Sequence, residues 1–296
     1  MALTYNADGR FTIMQITDTH IGDSPLSEAS QKTIDLIQAA LDKYPVDLVV
    51  HTGDITWSEG VKKQLDSLQA FLDCFHDRNI PLITTFGNHD SEGYLTRNKL
   101  RAYIQADSKV SHAPKKHVSI ADDRESSVLE IYGSDRETVK NVIYLIDSGD
   151  YPKINFGTYD WVSFDQVAWF RQVAQDYSDP TMNNLVFLHI PLPEYKEAGK
   201  FIIEGHFNEG DHEICSPDLN SGLFTQMVEA GNIWGVFAGH DHDNNFDAKY
   251  CDIHCVYGQV SGYDTYGDED RGIRLIALDE NKNTVSTERI LAHEFI

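Results

Sequence analysis

Aspartate, asparagine and histidine residues recur where the apolar segments of this chain end. Five such clusters occur along the sequence, and their members are Asp18 and His20, Asp54, Asn88 and His89, His189, and His240 and His242. Carboxylate and amide oxygens and imidazole nitrogens are ligands for hard and borderline metal ions. A single Asp-x-His or Gly-Asp is more typical of a turn or a cap. Five clusters in this order, each after an apolar segment, instead predict a metal site.

The number of candidate ligands predicts two ions rather than one. Two carboxylates, one amide and four imidazoles are more ligands than a single tetrahedral ion accepts. The ligand types suit Mn, Fe or Zn ions, divalent or of mixed valence, rather than a thiolate site. A carboxylate can bridge two ions about 3.5–4 Å apart, and such a pair would create a positive pocket that suits a phosphate ester.

Alternating strand and helix patterns would position these clusters. Short apolar segments at residues 11–16, 48–50 and 82–86 predict strands, and helical spacing of apolar residues predicts helices over 34–44 and 61–75. Strand–helix–strand units of this length build parallel sheets. Because ligands bind beyond the carboxyl ends of the strands in such sheets, we expect the five clusters to meet in one crevice.

The rest of the chain shows further elements and no linker. Strands are predicted at residues 128–132, 142–146, 185–188 and 234–237, and residues 163–166 have the sequence of a helix-capping box. We predict one α/β domain over residues 1–296, with loop insertions near residues 105–127 and 194–220.

The chain is strongly acidic. It has 24 Lys and Arg against 47 Asp and Glu residues, a formal net charge of −23, and 41% hydrophobic residues with which to build a core. An anionic surface repels nucleic-acid backbones and anionic lipids, and no apolar run approaches the roughly 18 residues of a membrane span. The first residues show no secretory signal, so we expect a cytoplasmic protein with neither nucleic-acid polymers nor membranes as partners.

The four cysteines do not form a disulfide framework. Cys251 and Cys255 flank His254 at a spacing that could hold zinc, but no second pair completes a zinc signature. Strand periodicity places both thiols on one face together with Ile253, so we expect packed free thiols.

The ordered motifs D-x-H, G-D, G-N-H-D, H and G-H-x-H, which run from Asp18 to His242, resemble those of the calcineurin-like metallophosphoesterases. Residues 145–151, 188–194 and 227–231 are similar to the single-domain purple-acid-phosphatase-like branch. Two positions depart from true purple acid phosphatases. Trp57 stands where they carry a tyrosine ligand, and His20 has no counterpart in their first motif, so no tyrosinate–iron chromophore is expected.

The resemblance implies a four-layer α/β/β/α sandwich with the site at one edge of the two sheets. It also divides the seven ligands between two ions: Asp18, His20 and His242 at the first, Asn88, His189 and His240 at the second, and Asp54 bridging both. His89 would donate a hydrogen bond to the phosphoryl group or protonate the leaving oxygen, with Asp90 as its orienting partner.

The implied activity is hydrolysis of phosphate mono- or diesters by in-line attack of a metal-bridging hydroxide on phosphorus. The expected substrate is a phosphorylated small molecule or a phosphoprotein. Glu204, His206 and Tyr263 are candidates to line its pocket, and solvated loops are the equal alternative. The alternative function is a non-catalytic metal-binding scaffold or interaction module on the same fold, against which the intact His89 and the seven ligands argue. The sequence predicts no oligomeric state.

Overall fold

The computed structural model describes residues 2–210 and 213–296. Its strands are β1 (Leu3–Thr4), β2 (Arg10–Ile16), β3 (Leu48–His51), β4 (Leu82–Thr84), β5 (Lys116–Ala121), β6 (Arg124–Tyr132), β7 (Val139–Ile146), β8 (Asn184–Phe187), β9 (Ile202–Glu204), β10 (Ile233–Ala238), β11 (Asp247–Tyr250), β12 (Ile253–Tyr257), β13 (Gly272–Asp279) and β14 (Thr284–Leu291). Its α-helices are α1 (Glu28–Lys43), α2 (Gln64–Asp73), α3 (Arg97–Ala106), α4 (Phe164–Asp176), α5 (Tyr195–Ala198) and α6 (Leu223–Ala230). Over the described ranges, no helix combines the length and the apolarity that crossing a membrane requires.

The strands form two sheets. The smaller sheet has the order β14-β13-β2-β3-β4, in which β2, β3 and β4 are parallel. The larger sheet has the order β1-β6-β7-β8-β10-β12-β11-β9, with β5 also paired to β6. Its central strands β7, β8, β10 and β12 are parallel. Parallel strands that lie side by side end at a common edge, and the predicted ligands follow these strands.

The fold has four layers, and a hydrophobic cluster lies between each pair of adjacent layers. Phe11 and Ile13 of β2 belong to a cluster shared with β8 and β10, which is the core between the two sheets. Met14 and Ile16 of β2 belong to a second cluster with α1, α2 and α3. A third cluster lies between the larger sheet and the helices α4 and α6. The different partners within β2 reflect the two faces of a strand, and the predicted α/β/β/α sandwich is confirmed.

Helix ends follow local sequence signals. α1 ends at Lys43, just before Pro45, as predicted. Ser163 and Gln166 form the predicted capping box, in which the serine hydroxyl accepts from the Gln166 amide and the glutamine side chain accepts from the Ser163 amide. α6 ends at Ala230 and is followed by Gly231, whose φ of 72° lies in the left-handed region that favours glycine.

Two predicted elements are shorter than expected. α2 begins at Gln64 rather than at residue 61, because Lys63 before it has non-helical φ and ψ values of −124° and 49°. The Lys63 amide donates to the distant Asp23 side chain, a partner that sequence spacing does not reveal. β4 ends at Thr84 rather than at residue 86, and beyond it the amide of Gly87 donates to Asp90 rather than to a neighbouring strand.

The segment predicted as a loop insertion, residues 105–127, contains regular elements. This segment contains the end of α3, all of β5 and the start of β6. β5 lies at an edge, where Val118 and Ile120 are half exposed, so its apolar residues do not mark a buried face. The second predicted insertion, 194–220, contains α5 and β9, and its residues 211 and 212 lie outside the described residues. The single-domain organisation stays a prediction.

The expectation that Cys251 and Cys255 share a strand face is wrong. Cys251 is exposed in the two-residue turn between β11 and β12, whereas Cys255 is buried in β12. Cys251 and Asp252 have φ values of 48° and 63°, the conformation that a two-residue hairpin turn requires. Cys74 and Cys255 are buried thiols, as predicted, whereas Cys251 is an exposed one.

Candidate metal centre

The seven predicted ligands follow strands that end at the same edge of the molecule. Asp18 and His20 follow β2, Asp54 follows β3, Asn88 follows β4, His189 follows β8, and His240 and His242 follow β10. Each is buried, with at most 7% of its surface exposed. The ends of β2, β3 and β4 in one sheet and of β8 and β10 in the other thus contribute to one site.

The side chains form two groups with the donor atoms that a metal ion requires. In the first ligand group (Asp18, His20, His242), one donor atom from each residue lies within 4.8 Å of the others. The second ligand group (Asp54, His189, His240) meets the same criterion. The amide oxygen of Asn88 lies 3.2 Å from Nε2 of His189, which places it beside the second group.

One oxygen of Asp54 lies between the two groups. Its Oδ2 is 3.2 Å from Nε2 of His189 and 3.5 Å from Nε2 of His20. Its other oxygen, Oδ1, accepts a hydrogen bond from the backbone amide of His89. A carboxylate held in this way has the geometry of a ligand shared by two neighbouring ions.

Hydrogen bonds orient the imidazole rings. Nδ1 of His189 lies 2.9 Å from the carbonyl oxygen of Thr52, and Nδ1 of His242 lies 3.2 Å from that of Tyr266. Because a carbonyl only accepts, both Nδ1 atoms carry a proton, and the two Nε2 atoms are the nitrogens that could bind an ion. Nε2 of His240 is buried and has no hydrogen-bond partner among the described residues, as an atom reserved for a metal ion would be.

The pKa shifts favour the ligand forms of most of these groups. Burial alone would raise the pKa of Asp18 and Asp54, but the adjacent histidines outweigh burial and lower both. Burial lowers the pKa of His20 and of His240 to about 3, so both rings are neutral at pH 7. Burial also acts to lower the pKa of His189, but the Asp54 carboxylate outweighs it and raises this pKa to about 9. Metal ions bind ionised carboxylates and neutral imidazoles, so an ion there would displace this proton.

Four of these ligands have a strained backbone. Asp18, His20, Asp54 and His240 have φ values of 53°, 44°, 54° and 81°, in the left-handed region. Such a conformation costs of order 1 kcal/mol or more per residue and is concentrated at functional sites. The strain turns each side chain away from its strand direction and towards the site.

Asp90 stabilises the loop that carries Asp54. Its two carboxylate oxygens accept hydrogen bonds of 2.8–3.0 Å from four backbone amides, those of Asp54, Ile55, Thr56 and Gly87. The predicted contact between Asp90 and the His89 ring is therefore wrong. Glu92 occupies that place, with Oε2 at 2.8 Å from Nδ1 of His89, because the turn His89–Ser91 is a 3₁₀ helix that brings position i+3 under position i.

The three predicted pocket residues have different neighbours. Glu204 ends β9 and pairs with Arg289 of β14 at 3.3 Å. Tyr263 donates its amide to Thr33 of α1, and its side chain packs against the cluster beneath that helix. His206 is half exposed and lies 2.6 Å from Glu269, in the loop that also carries Tyr266. The structure does not bring these three side chains together.

A family model decides between the possible interpretations of this geometry. The model described as calcineurin-like phosphoesterase matches residues 11–244. The chain belongs to the calcineurin-like phosphoesterase family. The match contains all seven buried ligands and His89, as the resemblance of the motifs predicted.

Relatives of this calcineurin-like phosphoesterase include a named phosphatase and three Arabidopsis thaliana proteins named as probable inactive purple acid phosphatases. "Probable inactive purple acid phosphatase 14" of Arabidopsis thaliana is 32% identical over 90% of this chain and 74% of its own length. "Phosphatase DCR2" of Saccharomyces cerevisiae is 28% identical over 95% of this chain and 53% of its own length. The solved structure of a dimetal phosphatase from Danio rerio has a TM-score of 0.67 at 15% identity and covers 95% of this chain and 96% of its own, which shows a shared fold.

Sequence reasoning missed several residues of this phosphoesterase site. Trp57 packs its ring 4.3 Å from that of His20 and 4.5 Å from that of His89. Tyr266 stacks on His242 at 4.0 Å, and Tyr159 meets the edge of His240 at 4.4 Å. These aromatic residues lie in loops without a periodic pattern. One signal was available: sites in such sheets lie beyond the carboxyl ends of the strands, and Tyr159 lies in the loop after β7.

Proposed function

We propose that this calcineurin-like phosphoesterase hydrolyses phosphate mono- or diesters with two bound divalent or mixed-valence ions. The observation that carries the proposal is the position of Asp54 Oδ2, which faces a histidine nitrogen of each ligand group. A protein that bound one structural ion would not need two buried groups joined by a shared carboxylate. The two groups and the adjacent Asn88 supply the predicted seven ligands.

The donor set suits Mn, Fe or Zn ions, because it combines carboxylate and amide oxygens with imidazole nitrogens and contains no thiolate. When bound, such ions lower the pKa of water and stabilise the negative charge that develops on the phosphoryl oxygens. Trp57 stands at the position of the tyrosine ligand of purple acid phosphatases, and its ring packs against His20. We therefore propose that no tyrosinate takes part.

His89 is the candidate proton donor. Its Nδ1 is hydrogen-bonded to Glu92, so Nε2 is the nitrogen that can contact a substrate oxygen. Burial acts to lower the pKa of His89, but the hydrogen bond to Glu92 and the Asp54 carboxylate outweigh it and raise the pKa, which favours the protonated ring. As the bond from phosphorus to the leaving oxygen breaks, that oxygen takes the Nε2 proton and departs as an alcohol, and water supplies the new oxygen of the phosphate. His89 then regains its proton from solvent.

The charge distribution supports a small or protein-bound phosphate ester as substrate. The chain has a net charge of −23, which disfavours long polyanions, whereas the bound ions would attract a single phosphate locally. We propose a phosphorylated small molecule or a phosphoprotein in the cytoplasm.

A second candidate is a metal-binding scaffold without catalysis. It is favoured by the three Arabidopsis relatives, whose names contain the word inactive. The two candidates differ in their use of His89, because a scaffold needs the metal ligands but has no use for a proton donor beside them.

The test is turnover of p-nitrophenyl phosphate and bis(p-nitrophenyl) phosphate by protein loaded with Mn²⁺ to a measured metal content. We expect turnover of at least one ester, and His89→Ala should reduce it by roughly 10²–10⁴-fold with unchanged metal content. His293→Ala, at an exposed histidine, is the matched control. Fully loaded protein that is inert towards both esters and a broad phosphoester panel would favour the scaffold.

A further inference from the structure

A continuous series of hydrogen bonds joins His89 to Asn88 by way of two residues that were not predicted to belong to the site. Nδ1 of His89 lies 2.8 Å from Oε2 of Glu92. The other oxygen of Glu92, Oε1, lies 2.5 Å from the hydroxyl of Tyr151. The same hydroxyl lies 3.0 Å from the amide nitrogen of Asn88. One carboxylate and one phenol thus connect the candidate proton donor to a candidate metal ligand.

The chemistry of the carboxylate fixes the direction of every bond in this series. An ionised carboxylate only accepts hydrogen bonds, so both of its partners donate. His89 therefore carries a proton on Nδ1 in its neutral as in its protonated form, and the hydroxyl proton of Tyr151 points to Glu92. The lone pairs of that hydroxyl then accept from the amide nitrogen of Asn88.

The direction of the last bond settles the orientation of the Asn88 amide. Because its nitrogen faces Tyr151, its oxygen faces the opposite way, where it lies 3.2 Å from Nε2 of His189 in the second ligand group. The amide oxygen is the atom that binds a metal ion, whereas the NH₂ group is not a ligand. A flipped Asn88 would present the wrong atom to the ion.

The loop that carries Tyr151 is tied to the turn that carries His89. The hydroxyl of Ser91 donates to Asp150 at 3.2 Å. Arg97 lies 3.8 Å from the same carboxylate and 3.6 Å from that of Asp147, at the end of β7. These contacts anchor the loop and hold Tyr151 within hydrogen-bond distance of Glu92.

We propose that Glu92 and Tyr151 are positioning residues of this site: Glu92 holds His89 as the Nδ1-protonated ring with Nε2 towards the substrate, and Tyr151 directs the Asn88 oxygen to the second ion. The consequences for turnover rest on the proposed function. The consequences for the His89 ring and for metal affinity do not, and they are measured separately.

The first test concerns the His89 ring in metal-free protein. Glu92→Gln keeps the size of the side chain but removes the acceptor-only carboxylate. Long-range ¹H–¹⁵N NMR spectra, with the His89 signals assigned by their loss in His89→Ala, report which ring nitrogen carries the proton. At a pH at which the ring is neutral, we expect the proton on Nδ1 in the original protein and a mixture of the two ring tautomers in Glu92→Gln. Glu229→Gln on α6 is the matched control. An unchanged His89 signature in Glu92→Gln would overturn the role of Glu92.

The second test concerns metal affinity. Tyr151→Phe removes the hydroxyl that holds the Asn88 amide, and loss of such a partner typically weakens metal binding by about 10–100-fold. Calorimetric titration with Mn²⁺ should show this loss for one of two ions, with the other unchanged. Tyr250→Phe is the control, because the Tyr250 ring packs on that of Phe224 rather than against a predicted ligand. Two ions bound by Tyr151→Phe as tightly as by the original protein would overturn the role of Tyr151.

The third test separates positioning from general damage. If Glu92 positions the proton donor, Glu92→Gln should lower kcat for phenyl phosphate more than for p-nitrophenyl phosphate, because the phenolate of the first is the poorer leaving group and needs the proton more. KM should change little for either. An equal loss for both esters would contradict positioning of the proton donor. If the original protein hydrolyses neither ester, the proposed function fails, and the NMR and metal measurements still decide the positioning roles.

Discussion

The carboxylate of Asp90 accepts a hydrogen bond of 2.9 Å from the backbone amide of Asp54, the residue that lies between the two ligand groups. Asp90 is 1% exposed, and three further amides of the same loops donate to it. The residue that follows the candidate proton donor in sequence thus supports the bridging ligand, while Glu92 contacts the proton donor itself. This arrangement leads to the first prediction.

Asp90→Asn should destabilise the protein. The amide has one acceptor oxygen where the carboxylate has two, and it brings a donor group into contact with backbone amides. Burial and the Asp54 carboxylate raise the pKa of Asp90 to about 7, so its carboxylate is mostly charged at about pH 8. Hydrogen bonds to a charged group contribute about 1.5–3 kcal/mol each, so at that pH we expect the free energy of unfolding to fall by roughly 2–4 kcal/mol. Urea unfolding of metal-free protein measures this loss, with Asp252→Asn in the exposed hairpin turn as control. Unchanged stability combined with a selective loss of turnover would restore the original assignment of Asp90 to His89.

Asp54→Asn should weaken the binding of both ions. Its Oδ2 faces both ligand groups, and the substitution removes the negative charge while keeping the shape. Asp18→Asn is the informative comparison, because Asp18 belongs to the first ligand group alone and should weaken one ion more than the other. Metal content after dialysis, measured by mass spectrometry, distinguishes the two patterns. If each variant lost one ion and kept the other, Asp54 would not be a ligand shared by both ions.

Gly87→Ala should disrupt the site although glycine supplies no ligand. A Cβ atom at this position would overlap Oδ1 of Asp54 and crowd Nε2 of His189. The bridging carboxylate would have to move, so we expect loss of bound metal and of any turnover. Gly210→Ala is the control, because a Cβ there meets nothing within 4 Å. Normal metal content in Gly87→Ala would mean that the carboxylate has freedom that the structure does not show.

His51 should make the stability of the metal-free protein depend on pH. It is fully buried, its Nδ1 accepts from the Gly53 amide, and burial lowers its pKa to about 3. An unfolded histidine has a pKa of about 6.5, so between these values the unfolded chain binds the extra proton and stability falls as the pH is lowered. For one such group, the free energy of unfolding changes by at most about 1.4 kcal/mol per pH unit.

The measurement is urea unfolding at several pH values from 7 downwards. His51→Gln should reduce the slope of stability against pH by up to one proton, because glutamine does not titrate. Parallel pH profiles for the two proteins would show that His51 is protonated in the folded state, contrary to the burial argument.

The ligand positions were predictable because of one physical regularity. Buried parallel strands are short, apolar and easy to recognise, and the residues that follow them meet at one edge of a sheet. Asp18, Asp54 and His189 were found in this way from their order in the sequence, and the structure places them together. The helix caps at Ser163 and Gly231 were found from equally local signals.

The remaining features depend on geometry that no local pattern encodes. Left-handed backbone at Asp18 and His240 is set by the surrounding loops rather than by residue type. The choice of Glu92 over Asp90 as the partner of His89 depends on a single 3₁₀ turn. Tyr151 and Glu92 are distant in sequence and meet only because the ends of β4 and β7 are neighbours in space.

The most direct test of the account is a crystal structure of the Mn²⁺-loaded protein with anomalous scattering data at the metal edge. We predict two peaks about 3.5–4 Å apart, one beside Asp18 and His242 and the other beside Asn88 and His189, with the Asp54 carboxylate between them. A single peak, or two peaks that do not share Asp54, would contradict the central claim that this carboxylate joins two metal sites.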